Sequence, residues 1–301
     1  MITSTNQETV VKIASTHLGQ KGGEGYSEVL DPSLLVAIPR YLNRETYEID
    51  DDNLPFTGYD VWNAYEVSAI TTKGRPVVGM LKIVYRADSK YHVESKSLKL
   101  YLNSLNMTRI GETGEECIKL LETIVSGDLS AVLGTEVKVK FFENTPEKEY
   151  LLEGYPRIQT LTDLDNIEFT TYKSDQYQLE KSSKNGILKV DIDFLRSNCR
   201  VTNQPDFGNM YIHIEADNLP TVDSLAKYVV SHRQVSHFHE EIAEMTYIHL
   251  LKAFNPEKLM VTCLYSRRGG IDINPIRSTH IELIPEWFYK PEYKIQKTLK
   301  Q

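Results

Sequence analysis

The stretch that decides the fold is residues 61–86, VWNAYEVSAITTKGRPVVGMLKIVYR. Its two ends, residues 61–70 and 77–86, are rich in β-branched and aromatic side chains, which predicts two strands. The residues between them include Gly74 and Pro76, and these residue types favour tight turns. The sequence therefore predicts a β-hairpin, whose strands run antiparallel.

Two helices are predicted after the hairpin. Residues 95–105 carry large apolar side chains at three- and four-residue spacing, which makes one apolar helix face. Residues 113–125 begin with a Thr-x-x-Glu sequence, the pattern of a capping box at a helix start. Two further strands are predicted at residues 136–142 and 167–172. The first half therefore follows the order ββααββ.

The same order of elements is predicted a second time, after a polar connection at residues 173–190. The second half has two strands around a turn at residues 204–208, then two helices and two more strands. These elements are predicted at residues 198–203, 209–216, 222–232, 238–253, 259–265 and 271–273. Because the helices interrupt hairpins and do not alternate with single strands, we predict an α+β protein. Its antiparallel sheets would carry their helices on one face.

These patterns divide the chain into three parts. Residues 1–50 form an N-terminal extension, residues 51–172 a first module and residues 173–301 a second module. The extension contains a helix-like pattern at residues 8–17 and a glycine-rich run at residues 22–25. No predicted strand precedes that run and it lacks a phosphate-binding glycine motif, so we interpret it as a mobile loop.

Charge and cysteine content narrow the class of protein. The 301 residues include 42 acidic and 34 basic side chains, a net charge of −8, which disfavours nucleic acid and favours a small-molecule partner. Cys117, Cys199 and Cys263 lie far apart without a Cys-x-x-Cys pair, so neither a disulfide framework nor a structural zinc site is predicted. No run approaches the roughly 18 apolar residues of a membrane span, and the cytoplasm is the expected location.

Cys199 and Asp206 are a candidate nucleophile and proton donor. They lie on either side of residues that favour a turn, so the chain can bring the carboxylic acid back beside the sulfur. The alternative is a buried cysteine that acts as a small apolar residue and an aspartate that caps its own turn. The local residues alone favour this ordinary interpretation.

Three other clusters carry chemical groups. Glu94, Ser95 and Lys96 stand at a predicted helix start, where free N–H groups and the helix dipole can hold an anion. The Phe-His-Glu sequence at residues 238–240 offers a ring for stacking and a carboxylate for the paired N–H donors of a guanine-like edge. The Arg-Arg-Gly-Gly sequence at residues 267–270 suits phosphate contacts. Each cluster also has an ordinary interpretation, as a capped helix start, a surface His-Glu pair or a charged turn.

Taken together and in order, these clusters resemble the NADPH-dependent 7-cyano-7-deazaguanine reductases of queuosine biosynthesis, in their longer, two-module form. The resemblance is carried by ESKSLKLYLNSLN at residues 94–106, SNCRVTNQPD at 197–206, FHE at 238–240 and YSRRGGIDINP at 265–275. It covers about residues 50–285. It implies a tandem tunnelling fold of two ββααββ modules, and a homodimer.

The resemblance also implies a chemistry, the reduction of a nitrile to a primary amine by two NADPH molecules used in succession. Cys199 would add to the nitrile carbon as a covalent thioimide, which makes an imine-like centre that can accept hydride. Asp206 would give a proton to the nitrogen, and His239 would assist. The implied substrate-binding residues are Val93, Glu94, Ser95, Phe238, His239 and Glu240. The implied cofactor-binding residues are Ser95, Lys96, Arg268 and Gly269, with Lys99 as a further phosphate contact.

Two other functions were weighed against this one. A zinc-dependent pterin hydrolase of the same fold would need Cys and His ligands, but Cys117 and Cys263 have no neighbouring His, so no metal is expected. An inactive binding protein is disfavoured because the catalytic cysteine, aspartate, histidine and glutamate are all retained. Phe207 stands where the family pattern has Trp, and Arg200 stands where an apolar residue is commoner.

Overall fold

The computed structural model describes residues 3–16, 27, 29–143 and 148–301. Its helices are α1 Thr3–Ala14, α2 Tyr41–Arg44, α3 Ser95–Ser104, α4 Gly114–Leu133, α5 Val222–Ser231, α6 His239–Phe254 and α7 Glu286–Tyr289. Its strands are β1 Ala37–Pro39, β2 Thr57–Ile70, β3 Pro76–Arg86, β4 Tyr91–Val93, β5 Val137–Phe142, β6 Glu149–Tyr150, β7 Gly186–Cys199, β8 Pro205–Ala216, β9 Ser236–His237, β10 Lys258–Tyr265, β11 Ile271–Ser278 and β12 Lys294–Ile295. The glycine-rich run at residues 22–25 and the end of the helix predicted at residues 8–17 lie outside the described residues.

One eight-stranded sheet runs through both halves of the chain, in the order β5-β3-β2-β11-β10-β8-β7-β9. Its pairs are antiparallel apart from β7 with β9. The predicted hairpin is confirmed as β2 and β3. At the centre, β11 pairs with β2 on one side and β10 on the other, so the last strand of the second half joins the two halves. The predicted α+β class with antiparallel strands is confirmed.

Helices α3 to α6 pack on one face of this sheet, as the sequence predicted. Around α3 and α4, the first-half apolar cluster includes Trp62 of β2 and Leu129 of α4. Around α5 and α6, the second-half cluster includes Ile212 of β8 and Tyr247 of α6. The opposite face is covered by the C-terminal segment, whose Phe288 is fully buried. Burial of both faces explains why the strands carry long apolar runs and do not alternate strictly.

Three predictions about strands were wrong. The first is the strand at residues 198–203, because β7 ends at Cys199 and the chain turns directly after it. Residues 167–172 form no strand, so the eight-stranded sheet and the helices α3 and α4 give the first half the order ββααβ. The second half has the order ββαβαββ, because the short strand β9 lies between α5 and α6. Ile167 and Phe169 instead pack against the second-half apolar cluster, which accounts for their alternating pattern. The polar connection ends earlier than predicted, because β7 already begins at Gly186.

The turn after Cys199 also lies earlier than predicted. The chain turns at residues 200–204, and β8 begins at Pro205, so the residues predicted to turn are already paired in the sheet. The Cys199 N–H donates to the Gln204 carbonyl at 2.8 Å, which closes the turn. Asn203 adopts a left-handed conformation with φ of 55°, which Asn tolerates better than most residues. Pro205 opens its strand, a position that proline accepts.

The N-terminal extension packs against both halves. Strand β1 pairs antiparallel with β4, with Ile38 opposite His92. Four buried side chains of the extension form a small apolar group, the N-terminal cluster: Val10, Ala14, Ile38 and Leu42. No helix in the described part of the chain is long and apolar enough to cross a membrane.

A buried ion network also joins the two halves. Glu244 of α6 pairs with Arg44 and with Arg277 of β11, each at 2.8 Å. Asp60 of β2 pairs with Arg277 at 2.8 Å and with Arg40 at 2.5 Å. Because these charges are buried, each depends on its partners, so the network fixes how the extension, β2, β11 and α6 meet.

Candidate active site

A cavity of about 260 Å³ collects the sequence-predicted residues. The following predicted residues line it: Val93, Glu94, Ser95, Lys96, Lys99, Cys199, Asp206, Phe238, His239, Glu240 and Arg268. The structure therefore brings together four segments that are far apart in the sequence. Gly269 is the exception, because it lines a neighbouring depression with Lys99.

Strand pairing places the thiol and the carboxylate on one face. Cys199 is the last residue of β7, and Asp206 of β8 lies directly opposite Ser197. Since side chains alternate along a strand, Ser197 and Cys199 point to the same side, and Asp206 is the diagonal neighbour of Cys199 across the ladder. The prediction that the chain returns Asp206 towards the sulfur agrees with this geometry, although the turn itself lies elsewhere.

Asp206 is a buried carboxylate in contact with His239 and Arg268. Its Oδ2 lies 3.3 Å from Nε2 of His239, and its Oδ1 accepts a 2.5 Å hydrogen bond from Nη1 of Arg268. Burial raises the pKa of Asp206, but the hydrogen bond and charge of His239, joined by those of Arg268, outweigh burial and hold the pKa below its usual value. Asp206 is therefore ionised at neutral pH.

His239 is fixed by stacking as well as by Asp206. Its ring lies over Tyr265 with the centroids 3.7 Å apart and the planes 8° from parallel. Nε2 faces the Asp206 carboxylate, an arrangement that suits the tautomer with its proton on this nitrogen. The other ring nitrogen, Nδ1, is buried and has no hydrogen-bond partner among the described residues.

Two glutamates in the cavity have different surroundings. Glu94 caps helix α3, since its Oε1 accepts from the Lys96 N–H at 2.9 Å and its Oε2 from the Ser97 N–H at 2.6 Å. Glu240 is 4% exposed, and its Oε1 has no hydrogen-bond partner within the described ranges. Nδ1 of His92 lies 3.6 Å from that oxygen. A buried carboxylate oxygen with spare acceptor capacity suits a ligand that presents N–H groups.

The two arginines of the Arg-Arg-Gly-Gly sequence have different partners. Arg268 points into the cavity, where it also hydrogen-bonds Gln204. Burial lowers the pKa of Arg268, but its interactions with Asp206 and Cys199 outweigh burial and raise it. Arg267 instead stacks on Tyr65, with its guanidinium carbon 3.5 Å from the ring centroid.

Comparisons with known proteins agree with this site. A family model described as nitrile reductase, 7-cyano-7-deazaguanine-reductase N-term, matches residues 26–141, and one described as QueF-like protein matches residues 205–282. Relatives named NADPH-dependent 7-cyano-7-deazaguanine reductase are 36% identical in Colwellia psychrerythraea, 38% in Desulfotalea psychrophila and 37% in Rickettsia massiliae. These alignments cover 93%, 86% and 89% of this chain, and 97%, 91% and 94% of the relatives.

The chain belongs to this reductase family. The resemblance predicted from its sequence is therefore confirmed. A solved structure, an archaeosine synthase QueF-Like in the apo form, aligns with 32% of this chain and 94% of its own at 18% identity, with a TM-score of 0.30.

The two reductase-family segments supply different walls of the cavity. Residues 93–96 come from the first segment, while Asp206, residues 238–240 and Arg268 come from the second. Cys199 lies just before the second segment. The site therefore forms only where the two halves of this reductase-family chain meet.

Sequence reasoning did not assign several residues of this reductase-family site. Tyr265 stacks under His239, His92 faces Glu240, and Gln204 holds Arg268. Gln204 and Tyr265 lie within two of the family motifs and His92 lies two residues before another, which was the available signal. The local sequence does not predict which segment pairs with which. Among the described residues, no group of three or more His, Cys, Asp or Glu side chains is arranged to hold a metal ion.

Proposed function

We propose that this chain catalyses the NADPH-dependent reduction of the nitrile of 7-cyano-7-deazaguanine to the aminomethyl group. The observation that carries the proposal is one cavity that contains a thiol, an ionised carboxylate and a buried carboxylate oxygen that accepts no hydrogen bond from any described residue. These belong to Cys199, Asp206 and Glu240. The thiol can attack the nitrile carbon of the substrate. The carboxylate oxygen of Glu240 can accept hydrogen bonds from the N–H groups at the edge of the deazaguanine base.

Glu240 and Phe238 hold the base in this proposal. The deazaguanine edge presents adjacent N–H groups, and the free Oε1 of Glu240 accepts them. Phe238 lines the same cavity and offers a ring for stacking. Val93, Glu94 and Ser95 form the facing wall, where the α3 start fixes the backbone through the Glu94 cap. When the deazaguanine base is buried in the cavity, the lower dielectric constant strengthens each of these polar contacts.

In the proposed first step, the proton lost by the thiol is the proton gained by the nitrile nitrogen. The Cys199 thiol gives its proton to the Asp206 carboxylate, and the sulfur forms a bond to the nitrile carbon. One π bond of the nitrile opens, and its nitrogen takes the proton from Asp206. The product is a covalent thioimide on Cys199, and Asp206 is again a carboxylate. His239 donates to Asp206 from Nε2 and keeps it aligned.

The residues present fit a dinucleotide that carries several phosphates. Lys96, Lys99 and Arg268 line the cavity, and the Lys99 stem packs 3.2 Å from the point where a Cβ on Gly269 would lie. Burial lowers the pKa of Lys99, and the nearby Arg268 charge adds to this, so an anionic ligand would relieve the repulsion. These cations, with the Ser95 hydroxyl, would hold the phosphates. When bound, NADPH supplies the electron pairs for reduction.

The same proposal covers architecture and assembly. We assign residues 51–172 and 173–301 to two tunnelling-fold modules, with residues 1–50 as an extension. The second half follows the order ββααββ apart from the short strand β9, and the first half nearly matches it, which supports this assignment. Family resemblance supports a homodimer in the cytoplasm.

The decisive experiment measures covalent capture and NADPH consumption. Wild-type protein given the nitrile alone should gain the mass of the substrate at Cys199, and with NADPH it should consume two equivalents per amine formed. Cys199→Ala should do neither. Cys117→Ala, which removes a buried thiol of α4 outside the cavity, should behave as wild type. An adduct that persists in Cys199→Ala, or a wild type that neither captures the nitrile nor oxidises NADPH, would overturn the proposal.

A further inference from the structure

We infer that Arg200 is a positioning residue of the active site, and that through it the N-terminal extension holds the catalytic turn in place. The inference rests on the proposed function, because it concerns the position of Cys199. Arg200 lies directly after Cys199 and is 8% exposed. Its guanidinium lies in a buried polar group next to the cavity wall, and His237 and Phe238 belong to both.

Three segments of the chain meet at this guanidinium. Nη1 donates to Oδ1 of Asn43 at 2.7 Å, and Nη2 donates to Oε1 of Glu241 at 2.6 Å. Nη2 also lies 2.9 Å from Nδ1 of His237. The Tyr47 hydroxyl donates to the same Glu241 oxygen at 2.9 Å. Arg200, Asn43, Tyr47, His237 and Glu241, here called the Arg200 cluster, therefore join the catalytic turn to the extension and to α6.

The Arg200 cluster holds the sulfur-bearing residue from two sides. Arg200 follows Cys199 in the chain, and His237 is the residue that pairs with Cys199 in the parallel bridge between β7 and β9. Glu241 lies one residue after Glu240 in the first turn of α6. A shift of the guanidinium would therefore move both the strand end that carries the thiol and the helix start that carries the free carboxylate oxygen.

Apolar contacts also join the cavity wall to the N-terminal extension. Val201 and Phe238 line the cavity on one side and pack on the other side against the N-terminal cluster. The Arg200 guanidinium carbon lies 5.6 Å from the Phe238 ring centroid, a cation–π distance. The extension is thus the outer layer of the wall that faces the substrate, and Arg200 is the polar link within that wall.

Electrostatics makes this link costly to break. Burial raises the pKa of Glu241, but the charges of His237 and Arg200 and the hydrogen bonds of His237 and Tyr47 outweigh it and lower the pKa. The carboxylate is therefore ionised while buried. Loss of Arg200 alone would leave the buried Glu241 carboxylate without the guanidinium that donates to it at 2.6 Å. Replacing both Arg200 and Glu241 with uncharged residues leaves no unpaired buried charge. The pair of charges can thus be deleted together with a smaller loss of stability than either charge alone.

The test compares Arg200→Leu, Glu241→Gln and the double variant in the full-length chain. Each single variant should lower Tm, and the double variant should recover much of that loss. Thioimide formation from the nitrile alone should stay slower than wild type in the double variant, by about ten- to hundredfold, because small misplacements of reacting groups have effects of that size. Hydrogen exchange at the Cys199 amide, which donates to Gln204, should accelerate. Asn43→Ala should show the same changes in weaker form.

A matched control also joins α6 to the extension. Lys252 of α6 pairs with Glu48 at 2.5 Å on the surface, and Lys252→Ala should leave capture and amide exchange unchanged. The inference is overturned if the double variant captures the nitrile at the wild-type rate with normal amide protection, or if capture merely follows Tm across the series. A wild type without capture would instead refute the proposed function, and amide exchange would still decide the role of Arg200.

Discussion

Replacing Arg268 tests whether this residue acts on Asp206 as well as on the cofactor. In the structure its guanidinium donates to Oδ1 of Asp206 at 2.5 Å and interacts with Cys199. Arg268→Ala removes a positive charge beside Asp206, the group that accepts the thiol proton in the proposed mechanism. We therefore expect thioimide formation, measured without NADPH, to need a higher pH in the variant.

The size of the shift follows from distance and exposure. Opposite charges about 4 Å apart interact by about 4 kcal/mol at an effective dielectric constant of about 20. The Arg268 side chain is 30% exposed, so solvent reduces that value towards the 1 kcal/mol or less of surface pairs. An intermediate loss of about 1.4 kcal/mol corresponds to one pKa unit. The loss raises the pKa of Asp206, because the ionised form is the one that Arg268 stabilises.

The assay is the rate of adduct formation as a function of pH, followed by absorbance and by intact mass. The acid limb of the profile should move up by about one pH unit in Arg268→Ala and less in Arg268→Lys, which keeps a charge. Arg267→Ala is the matched control, since the neighbouring guanidinium stacks on Tyr65. An unchanged acid limb in Arg268→Ala, with a raised KM for NADPH, would show that Arg268 serves the cofactor alone.

Two further predictions concern the glutamates of α6. Glu244→Gln should lower the free energy of unfolding by about 3–5 kcal/mol in urea titrations, because Arg44 and Arg277 lose a buried anion. Burial raises the pKa of Glu244, but Arg44 and Arg277 outweigh burial and hold the pKa far below its usual value. The wild type should therefore lose this stabilisation as the pH falls below about 4.5, while Glu244→Gln should lose less stability over the same range. Glu240→Gln should weaken binding of the nitrile substrate about tenfold, because a charge-assisted hydrogen bond is lost. The affinities would be measured by calorimetry in a Cys199→Ala background, and equal affinities would show that Glu240 does not recognise the base.

Local patterns predicted the elements but not their pairing. The helix starting at Ser95 and the β2–β3 hairpin were predictable, because side-chain periodicity and turn residues are encoded in short stretches. No local sequence pattern predicts that β11 pairs with β2. Residues 167–172 show the limit most clearly, because an alternating apolar pattern predicts a strand whether the side chains enter a sheet or pack against helices.

The site residues were predictable as chemical types, while their partners were not. Cys199, Asp206 and Glu240 were found because motifs fix the order of functional groups along the chain. Arg268 was expected to contact phosphate, but its guanidinium donates to the Asp206 carboxylate. The planar guanidinium group can pair with either anion, so the residue type alone does not predict which one it contacts. Arg200 could not be assigned, since its partners Asn43 and Glu241 lie in segments far away in the sequence.

The charge state of Asp206 decides the order of the proton steps. An ionised carboxylate cannot give the first proton to the nitrile nitrogen, so it must first receive one. His239 cannot take the thiol proton at Nε2, because that nitrogen already donates to Asp206. Cys199 shares a sheet face with Asp206, so the thiol is the proton source that the geometry favours. In the proposed mechanism, capture moves one proton from sulfur to nitrogen through Asp206. Asp206→Asn should therefore bind the base yet fail to convert it to the thioimide.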